Sequence, residues 1–509
     1  MKKRSEVLML AVIMALTLPT AVYAEGETES VEETYIEETH TEETYTEESY
    51  TEEETTSIEE TASVEETLSF EQQLIEENAT PIGTVTEEDP GRYALYSGPL
   101  DVTDVNSGLV PITWSSYYNY DEAHKVLELV NQIRAENGIA PLVWDYELEM
   151  AACIRAAECS IVFDHTRPNG QSCTSLTDRM NGENIAAGPW LATQVVANWM
   201  NSDGHRANIL NPNYKSMGVS VSYVNDGSYE YYWSQNFGIS DGDGQYAKSG
   251  LEDVTQIIEA VGTEAGCQIK NFVIRLYEKV LGRKADYAGL ADWFNQLVNG
   301  ENTGAGVAQG FVFSDEFKNR NLSDGDYIEI LYKTMFDRSS DPGGKQGWQE
   351  DLKTGFSRAY VYHGFAESAE FTDLCTSFGI QRGSVGLGEA RDQNAGVTRF
   401  VSRLYSKALS RTPDINGLND WAGQIIRNES TPENVAHGFL FSDEMRKKGL
   451  SDAEFVKVLY RVFLDREADG NGLTDWTGRL KNGTSREDVM YGFSKSAEFG
   501  DILRSFGLS

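Results

Sequence analysis

Between residues 120 and 240 the apolar positions recur first in threes and fours and then in twos. Val126, Leu127, Val130 and Ile133 keep helical spacing and Gly138 stops the run, which predicts an amphipathic helix over 122–137. Leu148, Ala151, Ala152 and Ile154 predict a second helix reaching about Cys159, and Val195, Val196 and Trp199 mark one face of a third over 192–201. The period then changes. Met217, Val219, Val221 and Tyr223 alternate with polar or small residues, Asp226-Gly227 is a hairpin signal, and Tyr229 to Phe237 reads as the returning strand. Helices followed by an antiparallel pair predict an α+β domain, or one layered α-β-α, over residues 120–240.

Beyond a polar segment around Asp241-Gly242-Asp243-Gly244, read as a linker over 241–269, the chain repeats itself. A frame of Leu-Tyr followed by Arg, Asp, Gly and Trp at fixed offsets occurs four times, with its Arg at 283, 338, 411 and 466 and its Trp at 293, 348, 421 and 476. Each copy closes on Gly-Phe and then a Ser-led Glu/Phe pattern, as in Gly310-Phe311 and Ser314 to Phe317. The copies pair into two all-helical units, 270–380 and 397–509, joined by a second linker over 381–396. The four Trp residues sit at helical spacing and are expected in the core. The Asp of each frame is expected to cap a helix, because Asp286-Tyr287-Ala288-Gly289 lacks the further oxygen ligands that calcium takes.

Composition changes the picture at the N-terminus. The 509 residues hold 81 Asp and Glu against 42 Lys and Arg, a net charge of −39, which excludes a nucleic-acid surface because phosphates would be repelled. Much of that charge is local: residues 25–90 carry 24 Asp or Glu and no Lys or Arg, with a five-residue Thr/Glu cycle over Thr34 to Glu53. Dense like charge with few aliphatic residues cannot offset the entropy of ordering, so 25–90 reads as a disordered, low-complexity stalk, and 91–119 as a transitional segment. Residues 1–24 open with Lys2, Lys3 and Arg4, run through the apolar stretch Val7 to Leu18 and end at Ala21-Val22-Tyr23-Ala24, the form of a secretory signal peptide. The mature chain is then expected to be secreted, without a transmembrane segment, and either free or held at the cell surface without a covalent anchor. Five Cys in such a chain is an odd count, leaving at least one thiol unpaired; a local disulfide to Cys173 from Cys153 or Cys159 is one possibility.

Only six His are present. His40 lies in the stalk, His124 on the polar side of the first helix, and His363 and His437 at a repeat position that Gln309 and Tyr491 fill in the other copies. His165 and His205 remain. His165 stands in Phe163-Asp164-His165-Thr166-Arg167-Pro168-Asn169-Gly170, Glu183 in Asn181-Gly182-Glu183-Asn184-Ile185-Ala186, and His205 in Asp203-Gly204-His205-Arg206-Ala207-Asn208. With Trp199-Met200-Asn201-Ser202 before His205 and Tyr232-Trp233-Ser234-Gln235-Asn236-Phe237 after it, the segment Ala123 to Gly238 resembles the bacterial, SCP-like branch of the CAP superfamily of cysteine-rich secretory, antigen 5 and pathogenesis-related proteins.

That resemblance implies an α-β-α sandwich and a cleft of two His and two acidic residues. His165, Glu183 and His205 match three of the four, and the last falls at Ser202. It implies that His165, Glu183 and His205 converge and are able to hold a divalent metal such as zinc, with water completing the shell. The repeats over Lys270 to Leu508 resemble the domain of unknown function 4214, which brings no catalytic residues. The expectation is a secreted bacterial protein that binds an extracellular or cell-surface ligand and is not an enzyme. The rival is a metal-dependent hydrolase using the same cleft, although neither a His-Glu-x-x-His motif nor a Gly-x-Ser-x-Gly turn is present.

Overall fold

The computed structural model describes residues 68–79, 102–225 and 228–508. The signal-peptide reading and most of the stalk reading fall outside those residues. The central domain runs β1 (Leu109–Asn119), α2 (Tyr120–Glu136), β2 (Val143–Trp144), α3 (Tyr146–Ile161), β3 (Gly182–Ala187), α4 (Ala192–Met200), α5 (Asp203–Ile209), β4 (Ser216–Tyr223), β5 (Tyr231–Gly238) and β6 (Leu251–Val261), and α1 (Phe70–Asn78) precedes it. The sheet order is β3-β5-β4-β1-β6, antiparallel throughout, with the two-residue β2 added parallel to β4.

The alternation in β4 explains the layers. Met217, Val219 and Val221 share a buried cluster with Val126, Val130 and Ile133 of α2 and Val195 and Trp199 of α4. The intervening Gly218, Ser220 and Ser222 face α3, which can therefore lie close to the sheet: a Cβ at Gly218 would collide with the α3 backbone at Leu148 and Glu149, and Ser222 donates its hydroxyl to Ala156 O at 2.9 Å. An apolar face covered by two helices and a small, polar face covered by one give the expected α-β-α sandwich.

Three segments differ from the sequence reading. Residues 70–78, placed in the disordered stalk, form α1, started by a capping box between Ser69 and Gln72. Glu136 accepts from the Phe70 and Glu71 amides, Glu71 pairs with Arg206 at 2.9 Å, and Leu74 is buried against the α2 and α4 cluster. A few apolar residues in an acidic run suffice once a preformed groove receives them. The transitional segment and the first linker supply β1 and β6, which pair without a break from Leu109↔Val261 to Asn119↔Leu251. β1 meets β4 only at Tyr117 and Tyr118, so most of this ribbon extends beyond the sandwich sheet.

The ribbon leads into the repeats. The free edge of β1 is met by Asn295 of α7 (Tyr287–Val298), whose side-chain amide accepts from Thr113 N at 3.4 Å and donates to Pro111 O at 3.4 Å, substituting for a neighbouring strand. Val110, Ile112 and Ala260 pack on Phe294 and Val298, and Val102 and Leu109 enter the core of the first repeat unit. Lys270 of α6 (Glu264–Leu276) is fully buried and donates to Asp104 O at 3.0 Å, Ser107 O at 2.6 Å and Ser107 Oγ at 2.9 Å.

Within the repeats, each frame residue has a physical task. Asp286, Asp341, Asp414 and Asp469 accept from the amides of Gly289, Gly344, Gly417 and Gly472 and cap the following helix. Those Gly residues leave room for the hydroxyls of Tyr277, Tyr332, Tyr405 and Tyr460. Over each Tyr ring lies the frame Arg, 4.7 to 5.0 Å from the centroid, which also pairs with Glu316, Glu370, Glu444 or Glu498 of the closing motif. The four Trp are half-buried rather than core residues, each resting on the Gly of Gly-Phe, where a Cβ would strike the indole. The second linker is docked too: Asp392 accepts from Ser357 N at 2.9 Å and Arg391 donates to Gly355 O at 3.0 Å.

Candidate functional site

The site is built at the end of α3. Ala151, Ala152, Ala156 and Ala157 bring that helix against the sheet, and among them Arg155 and Glu158 are both buried. A lone guanidinium there would be costly, and here each of its three nitrogens donates. Arg155 Nε donates to Glu183 Oε1 at 2.7 Å, Nη1 to Glu158 Oε2 at 2.8 Å, and Nη2 to Asp164 O at 2.6 Å. Arg167 closes the group with a 2.8 Å pair to Glu158. Two cations and two carboxylates balance.

Glu183 lies on β3, paired with Asn236 of β5. Its other oxygen, Oε2, is 2.8 Å from His165 Nδ1 and 3.4 Å from Arg155 Nη2, and Ser234 Oγ donates to Oε1 at 3.4 Å. Burial opposes ionisation of this carboxyl, but the His165 hydrogen bond and the Arg155 charge outweigh it and hold the group below the usual carboxylate range. The His165 side chain is 57% exposed, so it offers its far edge to solvent while Glu183 fixes its near one.

His165 and Cys173 are tied by their backbones. Cys173 N donates to His165 O at 3.0 Å across a short loop closed by a bridge between Thr166 and Ser172. A His165 ring nitrogen, Cys173 Sγ and a Glu183 oxygen all lie within 4.8 Å of one another. Burial pushes the Cys173 thiol up to about 11. All five cysteines are unpaired, so the structure contains no disulfide to Cys173.

His205 and Ser202 belong to the neighbouring element. Ser202 precedes α5 without capping it through its side chain, and His205 is half-buried in the first turn. Asn184, next to Glu183, donates to His205 O at 3.2 Å, and Asn208 donates to Glu183 O at 3.2 Å and Asn184 Oδ1 at 2.9 Å, so α5 is stitched to β3 by two amide side chains. The structure therefore brings His165 and Glu183 into direct contact and sets His205 on the adjoining helix, outside the 4.8 Å group. Arg155, Glu158 and Cys173 escaped the sequence reading. Two charged residues in the run Ala-Ala-Cys-Ile-Arg-Ala-Ala-Glu-Cys were the available signal, because such a helix face has to be buried.

Parts of the chain are similar to known proteins. Residues 127–237 match the Cysteine-rich secretory protein family, so the chain carries a CAP domain. Residues 262–321, 308–375, 388–449 and 436–502 each match a domain of unknown function, DUF4214. The chain is similar to the uncharacterized protein YkwD of Bacillus subtilis (39% identity over 121 residues, 22% of this chain and 45% of that one). It is also similar to the uncharacterized membrane protein YlbC of the same organism (32% over 124 residues, 22% and 33%). It thus spans less than half the length of either relative. Among solved structures, similarity extends to an extracellular protein containing a SCP domain from Bacillus anthracis (26% identity, 24% of this chain and 41% of that one, TM-score 0.21). A cysteine-rich secretory protein from Staphylococcus aureus is also similar (24% identity, 24% and 40%, TM-score 0.20). Among the described residues, no helix is long and apolar enough to cross a membrane.

Proposed function

We propose that this is an extracellular binding protein, secreted or held at the cell surface. Its CAP domain presents a cleft that holds a divalent cation such as zinc, and its helical repeats position that cleft against a surface or partner. One observation carries the choice of binding over hydrolysis: the Glu183 carboxylate is clamped by Arg155, His165 and Ser234. A carboxylate held below its usual range by buried donors is a good fixed anchor and a poor proton carrier near neutral pH. The exposed side of His165 is the natural point of approach for a molecule drawn to that cation. Calorimetric titration of zinc into the full mature chain, beside a His165→Ala variant, tests this reading. Binding by the parent and loss in the variant are expected. No binding by the parent, or equal binding by both, refutes it.

A further inference from the structure

We infer that Cys173, rather than His205, is the third protein ligand of the cation site, alongside His165 and Glu183. The inference rests on the metal-holding cleft proposed above and assigns its donors.

Three observations converge on it. The first is spacing. Zinc bonds of about 2.0–2.3 Å in a tetrahedron set neighbouring donors roughly 3.3–3.7 Å apart. His165 Nδ1 and Glu183 Oε2 are 2.8 Å apart with a proton between them, and Cys173 Sγ falls within the same 4.8 Å group, so replacing that proton by a cation needs only small adjustments. The second is fixation. Glu183 is held by Arg155, while the backbone bond from Cys173 to His165 and the Thr166–Ser172 bridge hold the other two donors in one loop. His205 is carried on a separate helix, α5, and is not part of that 4.8 Å group.

The third is charge. Arg155 and Arg167 are balanced by Glu158 and Glu183, so the site is neutral before any cation enters. A dication accompanied by a thiolate leaves a single positive charge, whereas a second neutral imidazole in place of the thiolate would leave two in a largely buried setting. A sulfur donor beside nitrogen and oxygen suits zinc and cobalt over calcium or magnesium. On binding, the thiol proton passes to solvent and the imidazole remains neutral with its N–H on Nε2. Three protein ligands leave a fourth position open toward the exposed His165, where an anionic or carbonyl oxygen of a bound molecule completes both the shell and the charge balance.

Cobalt(II) is the probe, added to the reduced full chain and followed by absorption. The expected result is a tetrahedral visible spectrum with a near-ultraviolet thiolate-to-cobalt charge-transfer band. Cys173→Ser should abolish that band and weaken binding at least about tenfold, while Cys267→Ser leaves both unchanged and circular dichroism shows every variant folded. Cobalt bound without the charge-transfer band, or a band that persists in Cys173→Ser, overturns the assignment and leaves the cation-binding cleft standing. Absence of any cobalt or zinc binding overturns both.

Discussion

Arg155 is the residue on which the buried polar group depends, and its removal gives a prediction whose size and pH dependence both follow from the structure. The Arg155 side chain is 0% exposed and those of Glu158 and Glu183 are 1% exposed, so solvent cannot replace the lost partner. Arg155→Met keeps the length and takes away the charge. Glu158 retains Arg167 and Glu183 retains His165, but each loses a bond of 2.7 to 2.8 Å. Breaking a buried pair on one side costs about 3–5 kcal/mol, a rise of roughly 100- to 3,000-fold in the opening equilibrium of β3. In the parent, the Glu183 carboxyl is held below its ordinary value, so its contribution is present above the unfolded carboxylate pKa and is lost as pH falls through the folded one. In the variant, the Arg155 charge and hydrogen bond no longer help the His165 hydrogen bond to oppose burial. The carboxyl moves upward and takes a proton more readily, so the deficit should shrink as pH falls from 7 toward 5. Native-state hydrogen exchange at the amides of Gly182–Ala187 reads this locally in a chain of several domains. A deficit under about 1 kcal/mol at pH 7, or one that stays constant or grows toward pH 5, refutes the reasoning.

Lys270→Met should cost roughly 2–4 kcal/mol, because Ser107 O and Ser107 Oγ lose their donor inside the protein; exchange should rise first at residues 104–107, and unchanged protection there would contradict the latch. Deleting residues 25–67 should leave the calorimetric melting of the CAP domain unchanged, whereas deleting 25–79 removes the buried Leu74 and the Glu71–Arg206 pair and should cost about 2 kcal/mol. Gly310→Ala should destabilise the first repeat unit by about 1–3 kcal/mol in urea, because its Cβ would stand 2.7 Å from the Trp293 ring. Gly347→Ala, an exposed helical position with nothing within 4 Å, should instead be neutral or stabilising by up to about 1 kcal/mol.

How much of this was legible depended on whether the signal was local. The α2, α3 and α4 helices and the β4–β5 hairpin announce themselves by period, and the structure differs by one or two residues at their ends. Repetition made the Arg, Asp, Gly and Trp frame visible, yet only the packing explains it: Gly because Tyr or Trp lies where its Cβ would be, Arg because a Tyr ring and a Glu receive it. The Trp residues were read too deep, since a Trp seated on a Gly leaves one face to solvent. His165 and Glu183, which the structure brings into contact, could be picked out by motif, but Arg155, 28 residues from its partner, and Cys173, in a loop without periodicity, form contacts that only the tertiary fold creates.

The β1–β6 ribbon was the least legible element and has the largest consequence. Its strands lie more than 130 residues apart in the chain, and each was read as connecting sequence because no repeated pattern or hairpin turn links them. Ser116 and Gln256 interrupt the apolar face shared by Val110, Ile112, Trp114, Val254 and Ile258, while Ser115 and Thr255, on the other face, are bonded to each other at 2.8 Å across the pair. Eleven paired residues extend about 35 Å, anchored to α3 by the Trp114 indole on Ser160 and to the repeats by Asn295 and Lys270. A connection with this many paired backbone groups and buried contacts resists bending in a way that a Gly-rich linker does not. Val261 N donates to Pro168 O at 2.8 Å, so the loop that carries His165 is tied to the end of β6 and, through the ribbon, to the repeat units.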